Sequence, residues 1–144
     1  MTFCPNFLVS ISLMEQMMLH EYFLLTYSVN KVGNTHRAKE ISDAVRVDIG
    51  KLKKLSELET FSENAARPFT YWQKLEDLET AIKGLIRIEG SNFRDQRNDV
   101  ISKFSAIFRK ALVDNEANSR TTVIKCAVMT ESLGDTIEFE VIKD

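Results

Sequence analysis

The densest set of side chains able to do chemistry in this 144-residue chain is basic: Arg46, Lys51, Lys53 and Lys54 lie in one short stretch. Such a group reads as a solvated basic face, and lysine contacts to a nucleic acid go mostly to phosphates, which position it without reading it. Base edges are read by Arg, Asn or Gln, and none of these follows within 48–58. A second polar group, Arg97-Asn98 with Ser102 and Lys103, holds no imidazole for proton transfer. Ser28 and Lys31 have the Ser-x-x-Lys spacing of acyl-transferring serine enzymes, but the companion motifs are absent and the chain is far too short for that fold. His20 and His36 are separated, as are Cys4 and Cys126, so no zinc spacing arises. There is no glycine-rich phosphate loop, and Glu76-Asp77 reads as solvated helix surface. The expectation is therefore a binding protein and not an enzyme, with no metal, no cofactor and no catalytic residues.

Composition limits the partners. Hydrophobic residues make up 44% and charged residues 28%, enough for a single domain over 1–144 that folds without a disulfide or metal. The cysteine pattern, with Cys4 in a frayed terminus and Cys126 in an apolar strand, favours a reducing, cytoplasmic setting. The apolar run at 7–14 follows no Lys or Arg and stops at Glu15, well short of the roughly 20 residues of a membrane span. No membrane association is expected. Net charge is −2, but its distribution is uneven. Lys and Arg outnumber Asp and Glu by seven to five over 31–60 and by six to four over 91–120, whereas 121–144 holds two against five.

The elements that must position these groups read as mainly helical. Residues 1–14 read as a frayed N-terminus. Residues 15–30 are apolar on nearly all sides, as in a central buried helix. Asn34 or Thr35 can cap a following helix, and the apolar spacing predicts two helices near 36–45 and 48–60, joined at Arg46–Asp48. A loop spans 62–68. Thr70 and Gln73 have capping-box spacing, and Trp72, Leu75, Leu78, Ile82, Leu85 and Ile86 form a helical stripe ending at Gly90. Another helix is predicted over 93–114. Alternation at 122–128 and 137–141 predicts a β-hairpin with one apolar and one charged face. The expected fold class is α+β: an α-helical bundle of four to five helices, including a helix-turn-helix-like pair, with a C-terminal antiparallel β-hairpin. Along the chain this gives a helix-turn-helix-like half at 15–60, two long amphipathic helices at 68–114 and the hairpin at 120–143.

Residues 38–58, AKEISDAVRVDIGKLKKLSEL, resemble the helix-turn-helix of winged-helix DNA-binding proteins. Ile41, Val45, Val47, Leu52 and Leu55 match its apolar positions, and Ser42 matches its small one. The resemblance implies a recognition helix over 48–58, with Arg46, Lys51, Lys53 and Lys54 on DNA, in a homodimeric transcription regulator. Arg46 stands where the motif's turn usually has glycine, and no clear wing follows. Residues 93–104, FRDQRNDVISKF, resemble the Arg-Asn…His signature of HEPN-type ribonucleases, with Ser102 and Lys103 where histidine is expected. That implies a catalytically degenerate helical dimer with Arg97 near its axis. The acidic hairpin supports an alternative, a protein-binding module such as an inhibitor, immunity or phage-type accessory protein, whose edge strand pairs with a partner. These readings separate on where the hairpin packs: against 48–60 as a displaced wing, or beside the helix at 93–114.

Overall fold

The computed structural model describes residues 20–144. The expectations for residues 1–14, for Cys4 and for a helix starting at Glu15 fall outside that range. The first element is β1 (His20–Lys31), a strand. Phe23, Leu25, Tyr27 and Val29 are buried, while Tyr22, Leu24, Thr26 and Ser28 face outward. This is the period of 2 of a strand with one face on the core. The expected buried helix over 15–30 is thus corrected: Tyr22 and Leu24 are apolar residues on the open face, and they hid the alternation.

Helix α1 (His36–Gly50) follows a turn at Gly33, whose φ is 74°. Thr35 caps it, its Oγ1 accepting from the Ala38 amide at 3.1 Å. Ala38, Ser42, Val45 and Ile49 form one buried stripe along the whole helix. The break expected at Arg46–Asp48 does not occur, because Val45 and Ile49 are successive residues of that stripe. No helix spans 48–60. The chain instead leaves α1 through 51–54 and forms only the short α2 (Leu55–Phe61) and α3 (Glu63–Ala66).

Strands β2 (Phe69–Lys74) and β3 (Ala81–Arg87) replace the helix expected from Thr70. Trp72, Ile82 and Ile86 are buried in the paired strands, whereas Leu78 is exposed in the connecting turn. The helical stripe was a coincidence of spacing across that turn. Helix α4 (Phe93–Asp114) matches its expected span, with Asn92 Oδ1 accepting from the Asp95 amide at 2.8 Å as its cap. Strands β4 (Thr122–Thr130) and β5 (Ile137–Val141) also form.

The expected architecture is nevertheless overturned. β4 and β5 are not a hairpin closing a helical bundle. β4 pairs with β1, and all five strands form one antiparallel sheet in the order β2-β3-β1-β4-β5. The helices cover one face of this sheet. Residues such as Tyr22, Leu24, Lys83 and Met129 lie on the other face, which is open to solvent, as antiparallel sheets allow.

The core is centred on rings from three elements. Phe23 and Phe104 stand 5.0 Å apart, Phe69 and Trp72 5.2 Å, and Phe69 and Phe104 5.3 Å, each in an edge-to-face arrangement. Gly84 pairs with both Phe23 and Trp72 across the sheet. A Cβ there would lie 2.0 Å from the Tyr71 carbonyl and 2.7 Å from the Phe23 ring. Glycine at this position lets β2 and the Phe23 ring close in.

Candidate interaction site at the open sheet edge

A sheet edge presents unpaired amides and carbonyls, and proteins cover or blunt it. The β2 edge is covered. The Trp72 Nε1–H donates to the Leu52 carbonyl at 2.8 Å, and the Lys74 amide donates to the Lys53 carbonyl at 2.8 Å. Lys54 forms an antiparallel bridge with Gln73. The 51–54 segment therefore lies along β2 as a partial strand. At the other edge, no described residue pairs with the outer side of β5.

The two faces of β5 differ in chemistry. Ile137 and Val141 are buried and Phe139 is half-buried on the helical side, whereas Glu138 and Glu140 are exposed on the open side. α4 packs against β5 from the helical side. Where the strand begins, Phe93 and Arg97 of α4, Leu133, Asp135 and Thr136 of the β4–β5 turn, and Ile137 line a pocket of about 150 Å³.

Both walls of this pocket are held in place. In the turn, Glu21 accepts from the Ser132 amide at 2.7 Å and from Ser132 Oγ at 2.6 Å, while Glu131 accepts from the Tyr22 amide at 2.7 Å. These reciprocal bonds tie the turn to β1. Gly134 takes a φ of 69°, and the Asp135 amide donates to the Leu133 carbonyl at 2.8 Å. On the α4 side, Lys103 Nζ donates to Asp99 and to the Arg87 carbonyl, both at 2.6 Å, and Asp99 accepts from the Glu89 amide at 2.8 Å. Phe93, 70% exposed, stands on the first turn of α4, which the Asn92 cap and the bond from Gln96 Nε2 to the Gly90 carbonyl at 3.2 Å hold in place. Among the described residues Arg97 has no carboxylate within ion-pair range.

The basic residues singled out from the sequence lie elsewhere. Arg46 is in mid-α1, donating to Asp43 at 2.6 Å and to the Val29 carbonyl at 2.7 Å, so it ties α1 to β1. Hydrogen bonds from Lys39 and Arg46 hold the Asp43 carboxyl below the usual range. Lys51 Nζ is 3.8 Å from Asp48. Arg46, Lys51 and Lys53 do come together with Lys74 around a groove of about 400 Å³, which also includes Tyr27 and Glu79. Lys54 is outside that lining. Lys53, Lys54 and Lys74 have no ion-pair partner among the described residues.

Of the other reactive side chains among the described residues, Tyr27 and Cys126 are cross-strand neighbours on β1 and β4, and His36 lies apart on α1. Cys126 is buried in β4, where desolvation pushes its thiol up to about 12. Burial, with the nearby Cys126 and Glu79, likewise raises the Tyr27 hydroxyl to about 12. His36 bonds Glu40 at 2.8 Å on the surface of α1, and Ser28 Oγ accepts from Asn30 at 2.9 Å. Among the described residues, no three His, Cys, Asp or Glu are grouped to hold a metal, and no helix is long and apolar enough to cross a membrane.

The sequence pointed to the acidic strand face but missed the pocket. Phe93 and Leu133 are forty positions apart and meet only because α4 returns beside β5. Comparison with protein-family models, curated proteins and solved structures found no match.

Proposed function

We propose that this chain is a protein-binding module that accepts an extended segment of a partner as an added strand along β5. The observation that carries this reading is the asymmetry of the sheet: the 51–54 segment covers one edge, and no described residue covers the other. Main-chain hydrogen bonds would supply affinity and alternate side chains specificity. The position of β5 beside α4 favours this reading over a displaced wing.

Charge supports a basic partner. Glu138 and Glu140 project beside the open edge. A second copy pairing β5 to β5 would set glutamates against glutamates, and like charges across a ladder destabilise it. Residues 1–19 of the chain contain no Lys or Arg, so they lack the complementary charge. The fitting occupant is a partner segment with basic residues at alternate positions.

Fluorescence anisotropy with two labelled octapeptides, one alternating Thr and Lys and one alternating Thr and Glu, tests this directly. The wild-type chain should bind the lysine peptide, and the E138K/E140K double variant should prefer the glutamate peptide. Equal binding of both peptides, or of neither, would overturn the reading.

One observation favours a second reading. The shared groove of Arg46, Lys51, Lys53 and Lys74 could contact a phosphate backbone without reading sequence. Binding of duplex DNA that weakens steeply with salt, and is lost in a K53E/K74E variant, would favour it. Salt-independent binding no tighter than micromolar would remove it.

A further inference from the structure

We infer that the pocket between α4 and the start of β5 selects one apolar side chain of the incoming strand, a specificity position within the strand-addition reading above, on which this inference rests. Side chains of an added strand alternate as those of β5 do. Residues lying beside Glu138 and Glu140 reach the open face. The residue lying beside Ile137 points to the helical side, where Phe93, Leu133 and Ile137 supply apolar walls. A cavity of about 150 Å³ is of the size that holds a benzene-sized group, so a leucine or phenylalanine side chain fits and an alanine leaves it partly empty.

The polar rim sharpens the choice. Asp135 and Arg97 place one charge of each sign at the mouth, and neither has an ion-pair partner among the described residues. The charges offset each other, and the apolar walls favour a neutral side chain that loses no hydration of its own charge on entering. Recognition is thus divided between the two faces of one strand: lysine or arginine outward, along Glu138 and Glu140, and a single leucine or phenylalanine inward, at the pocket. Because Glu21 and Glu131 already fix the turn to β1, little ordering of the pocket wall is needed on binding.

The test uses the full chain and the alternating Thr/Lys octapeptide, with one inward threonine replaced by leucine or by alanine. Burying a leucine side chain in place of a methyl group should tighten binding about tenfold or more. In Phe93→Ala the leucine and alanine peptides should bind alike, at the affinity of the alanine peptide for wild type. Phe93 is largely exposed, so the variant should fold normally, which thermal melting would verify. If wild type binds both peptides equally, the pocket inference fails and strand addition stands. If the leucine preference persists in both Phe93→Ala and Leu133→Ala, the pocket is not the selecting site. If no peptide binds wild type at all, strand addition itself is overturned, and the pocket inference with it.

Discussion

The two edges of this sheet solve one physical problem in opposite ways. At β2 the chain supplies its own cover. Trp72 lies in the aromatic core and reaches out to the Leu52 carbonyl, so a core residue also fastens the covering segment. At β5 the edge carries charge instead, with Glu138 and Glu140 beside a backbone that no described residue pairs. Cover excludes every partner, whereas charge excludes only some. Acidic side chains discourage a second copy of the same strand and leave a basic one welcome. An edge left open in this selective way is the part of the molecule best suited to recognition.

The contrast is broken most severely at the covered edge. Trp72→Ala should cost about 3–5 kcal/mol, since it empties part of the core and frees 51–54. Chemical denaturation would measure this loss, and Trp72→Phe, which chiefly orphans the Leu52 carbonyl, should cost about 1–3 kcal/mol. Gly84→Ala comes next, at about 3 kcal/mol, because the new methyl meets the Tyr71 backbone and not a movable side chain. At the open edge the effects fall on association. Replacing both glutamates, E138T/E140T, removes the like-charge barrier while keeping strand propensity. The variant should self-associate at concentrations where wild type does not, as read by analytical ultracentrifugation. The smallest effect is that of E138K/E140K, which sets a lysine opposite Lys125 across the ladder and should lower folding stability by no more than about 1 kcal/mol, while weakening binding of a basic peptide about tenfold.

What the sequence revealed depended on whether the solvent face of each element was polar. α4 was legible because Val100, Phe104, Ile107, Phe108 and Ala111 recur at helical spacing between polar residues. β4 and β5 were legible because Lys125, Glu138 and Glu140 punctuate the alternation. β1 was not, since Tyr22 and Leu24 put apolar groups on its open face. The β2–β3 pair was masked by Trp72, Leu75, Leu78, Ile82, Leu85 and Ile86, which keep helical spacing across a turn, and Thr70 with Gln73 gave capping-box spacing inside a strand. With three strands unseen, the sheet could not be assembled, and the hairpin read as an appendage. The acidic face of β5 was still visible as a possible partner surface. The pocket beside it was not, because Phe93 and Leu133 meet only through the fold.

The asymmetry is tested most directly by amide hydrogen exchange, with and without a saturating basic octapeptide. Strand addition predicts new protection concentrated on the outward amides of Ile137–Val141, with exchange in Phe69–Lys74 and in 51–54 unchanged. Protection that appears at β2 or in the basic groove, with β5 exchanging as before, would contradict the account.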